Sequence, residues 1–98
     1  MNMNALMQQA QKMQKDMLKA QEEVSKQVFK VTKDFIEVEV TGDKKIKSIV
    51  INQDELNKDD IEILQDLILI ATNEALQKAE NEMESKLGKF SKGLPGLF

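Results

Sequence analysis

An apolar heptad repeat near the N-terminus constrains the fold of this chain more than any other feature. Within residues 3–28, apolar side chains recur with alternating spacings of three and four residues. This spacing predicts a long helix that presents a narrow apolar seam to another helix. Either Asn2 or Asn4 could cap the helix, and we expect it to run to about Lys26. The seam consists of Met3, Leu6, Ala10, Met13, Met17, Ala20 and Val24.

After residue 28 the apolar period changes from about 3.5 to 2, which is the period of a β-strand. We predict strands at residues 28–32, 35–41 and 46–51, joined by short polar turns. In the second strand, apolar Ile36, Val38 and Val40 alternate with polar residues and share one face.

The third predicted strand is apolar on both faces. Strict alternation puts Ile46 and Val50 on one face, and Ile49 and Ile51 on the other. Such a strand needs cover on both sides. The helices of a 98-residue chain can easily cover one face of a short sheet. The apolar second face therefore suggests contact with another subunit.

A second long helix is predicted after a polar turn. Asn57 is a plausible N-cap, and we expect the helix to run to about Leu87, with Gly88 as its stop. Its middle, residues 67–70, is apolar almost all round and is predicted to be the buried centre. The prediction is therefore an α+β fold: one domain over residues 1–88, followed by a flexible C-terminal tail, residues 89–98.

The composition argues against catalysis. The chain has no Cys, His, Trp or Tyr, so thiolate metal sites, the commonest general base and the commonest metal ligand are all missing. The carboxylate pair Asp59–Asp60 is explained by the start of a helix. The pair Glu37–Glu39 is explained by the solvent-exposed face of a strand. We expect a non-enzymatic protein with no cofactor, no metal and no small-molecule substrate.

Hydropathy argues against a membrane role. The N-terminus lacks a secretory signal pattern, and the longest apolar run is far too short to span a bilayer. We expect a cytoplasmic protein without membrane contact.

Charge is distributed unevenly along the chain. All 14 basic residues are lysines, and 17 carboxylates make the chain acidic overall. The two ends are nevertheless basic, while residues 54–66 are strongly acidic. The lysines of the first helix form a row, which is either a solvated face or a set of phosphate contacts. The basic residues of interest are Lys12, Lys15, Lys19 and Lys26 in the first helix, and Lys86 and Lys89 near the C-terminus.

The order of these segments resembles the YbaB/EbfC family of bacterial nucleoid-associated proteins. The resemblance extends over nearly the whole length and depends on several motifs together. These are LMQQAQKMQ at residues 6–14, VEVTG at 38–42, IKSIVI at 46–51, LQDLILIATNEA at 64–75 and GLPGLF at 93–98.

The resemblance implies a homodimer formed through the sheet region, with helices projecting like the arms of tweezers. It also implies binding of duplex DNA with little sequence preference at the bacterial nucleoid. Together with the lysine row and the basic tail, it leads to the hypothesis that the protein holds DNA through backbone phosphates and bends or bridges it. The six lysines of interest are then the DNA-contact candidates. The residues expected to form the packing or dimer contacts are Ile36, Val38, Val40, Ile49, Ile51, Leu67 and Ile68.

A different class of function remains open from the sequence. Helix, small sheet, helix is also the element order of prefoldin-type subunits, whose coiled coils grip client proteins. The alternative is therefore a chaperone-like or protein-interaction module that acts on protein partners.

Overall fold

The fold is α+β, as predicted. In chain order, one long helix precedes a small sheet and a second long helix follows it. The computed structural model describes residues 2–93. Its elements, in chain order, are helix α1 (Met3–Lys26), strands β1 (Val28–Lys33), β2 (Ile36–Thr41) and β3 (Ile46–Ile51), and helix α2 (Asp60–Gly93).

Helix α1 begins and ends where its sequence predicts. The side chain of Asn2 accepts a hydrogen bond from the Asn4 backbone N–H at 3.0 Å, so Asn2 is the cap and Asn4 lies inside the helix. At the other end, the Gln27 N–H donates to the Val24 carbonyl at 3.0 Å. Gln27 itself has extended backbone angles and leads directly into β1.

The three strands form an antiparallel sheet in the order β1-β2-β3. The central strand buries Ile36, Val38 and Val40 completely, which confirms the face predicted from alternation. These residues pack in one cluster with small side chains of α2, which let the helix backbone approach the sheet closely. The helix contributes Ala71, Ala75 and Ala79 to this core.

A β-bulge in β3 corrects one prediction about side-chain direction. Val38 pairs with Ile49 and Glu39 with Ser48, but Val40 pairs with Ile46, so one residue of β3 is skipped. A bulge of this kind reverses the alternation beyond it. Ile46 therefore lies on the same face as Ile49 and Ile51, not on the opposite face.

Helix α2 starts as predicted but ends later. The Asp60 carboxylate accepts a hydrogen bond from the Asn57 N–H at 2.9 Å, which is one half of a capping box. The predicted stop at Gly88 is wrong, because the helix continues through it to Gly93. Phe90, predicted to lie in a flexible tail, is buried. The rest of that predicted tail, residues 94–98, lies outside the described residues.

The two helices run antiparallel and give the molecule an elongated shape of 71 × 19 × 13 Å. The C-terminal end of α1 lies beside the sheet, where Gly42 approaches the Val24 carbonyl. Farther out, Phe90 of α2 lies beside Lys19 and Ala20 of α1. The N-terminal half of α1 extends beyond this point as a projecting arm.

Several apolar residues remain uncovered in the single chain. The middle of α2 was predicted to be a fully buried centre, but Leu69 is 61% exposed and Ile70 is 52% exposed. Only one side of that segment, Leu67 and Ile68, packs against the core. The reason is that α2 lies on one face of a three-stranded sheet and, within the described chain, has nothing on its other side.

Candidate nucleic-acid interface

The lysines of α1 lie outside its apolar seam. Lys12, Lys19 and Lys26 share one heptad position, and Lys15 occupies a neighbouring one. In a helix of 3.6 residues per turn, both positions lie far from the seam that α2 covers. Lys12, Lys15 and Lys19 are all exposed. The packing of α1 thus leaves a row of ammonium groups facing outward.

Five lysines around the sheet, by contrast, form ion pairs with carboxylates. Lys30 lies 2.9 Å from Glu37, whose carboxylate raises the pKa of the Lys30 ammonium. Lys33 lies 2.9 Å from Glu74 of α2. Three further pairs follow the same pattern at longer distances of 3.7–3.9 Å: Lys44–Glu80, Lys45–Asp43 and Lys47–Glu39.

The projecting arm has a different charge arrangement. In the described part of the chain, Lys12, Lys15 and Lys19 form no ion pair, and neither does Lys86 of α2. Lys26 is the exception, because its ammonium lies 3.1 Å from the Glu22 carboxylate one turn earlier. That pair makes Lys26 the weakest of the predicted contact residues.

The structure brings the basic end of α2 alongside the lysines of α1. Lys19 and Lys89 line the same shallow groove, which also contains the acidic residues Asp16 and Glu23. The Lys89 ammonium lies 5.1 Å from the centre of the Phe90 ring. Lys12 and Lys15 lie farther along the arm.

Phe90 is a residue of this groove that the sequence prediction missed. It is buried, and it lines the groove together with Ala20 of α1. A signal was available, because Phe90 follows Met83 by seven residues and so continues the apolar stripe of α2. Gly88 obscured that stripe by suggesting a helix end.

The predicted packing residues fall into two groups. Ile36, Val38 and Val40 form the core, while Leu67 and Ile68 are half-buried against it. Ile49 and Ile51 are exposed on β3, at an edge of the sheet that α2 does not cover. The core therefore accounts for the first group and leaves the two β3 residues open to solvent.

Other kinds of site find no support in the described residues. Between residues 2 and 93, no group of three or more acidic side chains is arranged to hold a metal ion. In the same part of the chain, neither helix is long and apolar enough to cross a membrane.

Comparison with known proteins connects this chain to a family. The model of the YbaB/EbfC DNA-binding family matches residues 1–94. The chain is also similar to curated proteins named nucleoid-associated proteins. One from Enterococcus faecalis is 43% identical over 98 residues, which cover 98% of this chain and 94% of the relative.

Two further relatives give the same result. A nucleoid-associated protein of Lactococcus lactis subsp. cremoris is 47% identical over 97 residues, covering 97% of this chain and 98% of that protein. Another, from Ruminiclostridium cellulolyticum, is 49% identical over 98 residues, covering 98% of this chain and 85% of the relative. The similarity is thus close to full length on both sides.

Proposed function

The chain belongs to the YbaB/EbfC DNA-binding family of nucleoid-associated proteins, and we propose that it binds duplex DNA mainly through phosphate contacts from the lysines of its projecting arm. The family is not an enzyme family, in agreement with the composition. The comparisons favour this function over the chaperone-like alternative. The proposed site of action is the bacterial nucleoid, in the cytoplasm.

The observation that carries the proposal is a difference in ion pairing between two groups of lysines. Around the sheet, carboxylates lie 2.9–3.9 Å from the ammonium groups of Lys30, Lys33, Lys44, Lys45 and Lys47. Across residues 2–93, no ion pair with a carboxylate is formed by Lys12, Lys15 and Lys19 of α1 or by Lys86 and Lys89 of α2. An ammonium group without an internal partner is available to displace counterions from a phosphate backbone.

The side-chain chemistry supports weak sequence preference. The chain has no arginine, so it lacks the guanidinium groups that contact guanine edges bidentately. Lysine acts as a point charge and suits phosphate oxygens without reading bases. Binding should therefore depend strongly on salt and weakly on sequence.

We also propose that two copies associate through β3 and the neighbouring side of α2. As an edge strand, β3 pairs with β2 on one side only. Ile49 and Ile51 face the core side of the sheet but are exposed, as are Leu69 and Ile70 on α2. A two-fold arrangement would cover these residues with the same surface of a second copy.

A dimer of this kind would carry two basic arms. Two arms on one body could contact two segments of DNA, or two positions along a single duplex. The proposal therefore includes bridging or bending of DNA as its mechanical consequence.

A gel-shift titration with matched lysine variants tests the DNA proposal. Lys12→Gln with Lys19→Gln removes two unpaired arm charges, while Lys30→Gln with Lys33→Gln removes two charges that are paired in the sheet. The first variant should weaken binding and reduce the slope of log K against log salt by about 0.9 for each phosphate that is no longer neutralised. The second should leave both quantities nearly unchanged.

Equal weakening by the two double variants would show that net charge, not the arm, controls binding, and would contradict the proposed site. A sizing measurement on each variant checks that the subunit assembly is preserved. Binding that does not change between low and high salt would reject the phosphate-contact mechanism itself.

A further inference from the structure

The lysines of the arm share their side of α1 with a line of amide side chains. Asn4, Gln8 and Gln11 are spaced by four and three residues, so they follow one stripe of the helix. The stripe continues through Lys15, four residues after Gln11, and Lys12 lies four residues after Gln8. None of these positions belongs to the apolar seam. We call the surface formed by these five residues the amide–lysine face.

The amide groups of this face have no hydrogen-bond partner in the described part of the chain. In α2, by contrast, the side-chain amide of Gln77 donates to Asn81 at 2.9 Å. Between residues 2 and 93, the side chains of Asn4, Gln8 and Gln11 form no hydrogen bond with another described residue. All three are exposed. Each therefore presents an N–H donor and a C=O acceptor side by side to a molecule outside the chain.

The outer part of α1 also has a shape that fits a groove of DNA. Every residue from 2 to 12 is exposed, so no other described element covers this part of the helix. A single helix with its side chains is about 10–12 Å across, and the major groove of B-DNA is about 12 Å wide. Nearer the sheet, Phe90 of α2 lies beside Ala20, and two packed helices with axes about 8–10 Å apart are too wide for the groove. The outer part of the arm is therefore the part that fits.

On the basis of the proposed DNA binding, we propose that the amide–lysine face enters the major groove, where Gln8 and Gln11 contact adenine bases. An amide group matches adenine because its C=O accepts from the N6 amino group and its N–H donates to N7. Lys12 and Lys15 lie beside these amides and contact phosphates at the edge of the groove. The arm therefore has a modest preference for duplexes that contain A·T pairs, in addition to its phosphate contacts.

Replacement of adenine by 7-deazaadenine in a duplex tests this contact. The replacement removes the N7 acceptor from the major groove and leaves the phosphates, the minor groove and the base pairing unchanged. The wild-type full chain should bind the modified duplex about fivefold more weakly, which is the lower end of what a bidentate amide–adenine contact contributes. Fluorescence anisotropy with two duplexes of the same sequence, with and without the replacement, measures this affinity ratio.

Matched glutamine variants locate the contact on the helix. Gln11→Ala should bring the affinity ratio closer to one, and Gln8→Ala with Gln11→Ala should abolish the difference between the duplexes. Gln9→Ala is the control and should keep the wild-type ratio. Gln9 is also exposed, but it lies about 160° around the helix from Gln11. Each variant replaces an exposed glutamine by a better helix former, so α1 stays folded.

The outcomes separate the groove contact from the phosphate contacts on which it depends. Equal wild-type affinity for the two duplexes, with strong salt dependence retained, would overturn the groove contact and leave the phosphate proposal standing. A ratio that persists in the Gln8→Ala, Gln11→Ala variant, or that is lost in Gln9→Ala, would also overturn it. Absence of binding to either duplex at low salt would reject the proposed DNA binding and the groove contact together.

Discussion

Gly42 joins the sheet to the base of the projecting arm. Its N–H donates a hydrogen bond to the Gln27 carbonyl at 3.0 Å. A β-carbon added at this position would lie 1.8 Å from the Val24 carbonyl oxygen, which is far inside van der Waals contact. Only glycine permits this approach of the β2–β3 turn to the end of α1.

The substitution Gly42→Ala should therefore be strongly destabilising. Backbone atoms on both sides of the contact leave little room for adjustment, and overpacking of this kind costs about 1–3 kcal/mol or more. Urea denaturation followed by circular dichroism measures the decrease in stability. A variant with wild-type stability would mean that the turn and α1 are farther apart than the structure indicates.

The same turn contains a small hydrogen-bonded unit. The Thr41 hydroxyl donates to the Asp43 carboxylate and, with help from the Lys45 ammonium, holds the pKa of Asp43 below its ordinary value. Stability from this source is present above the pKa of the unfolded chain and is lost as the pH falls through the lower folded value. At neutral pH the Asp43 carboxylate is therefore charged and can accept the hydrogen bond from Thr41.

Helix α2 links the sheet to the arm through one continuous stretch of 34 residues. Its middle presents Ala71, Ala75 and Ala79 to the sheet, and its last turns place Phe90 beside α1. Gly88 lies between these regions, inside the helix. A glycine there costs helix stability because it has the most backbone freedom to lose.

Gly88→Ala should consequently stabilise the protein. A β-carbon at this position meets no described atom within 4 Å, and alanine in a helix interior is favoured over glycine by about 0.5–1 kcal/mol. Thermal unfolding should show a higher Tm. Gly42→Ala is the natural comparison, because the same chemical change should lower stability there. A lower Tm for Gly88→Ala would indicate that the helix is interrupted near residue 88.

The whole molecule is too extended to be a compact single domain. Its radius of gyration is 19.6 Å, whereas a compact chain of this length has about 13 Å. The buried core is small, and large apolar side chains remain exposed on β3 and on the outer side of α2. These features favour the proposed assembly with a second copy.

If two copies associate as proposed, Ile49→Asp should shift the protein from dimer to monomer. A carboxylate in an apolar interface loses its hydration without gaining a partner, which costs several kcal/mol. Ser48→Asp adds the same charge to the adjacent residue, on the other face of β3, and should leave the assembly intact. Sedimentation or light scattering distinguishes the two. If both variants remain dimeric, the interface lies elsewhere on the chain.

The sequence by itself determined the type and order of the elements, because apolar period is a local property of helices and strands. It also identified the buried face of β2 and excluded the usual catalytic groups. Only the tertiary structure decided which lysines are free of carboxylates, since the pairs Lys33–Glu74 and Lys44–Glu80 join residues far apart in the chain. The direction of Ile46 likewise depends on a bulge in strand pairing. The helical path through Gly88 to Phe90 depends on packing against α1, which outweighs the local preference of one glycine.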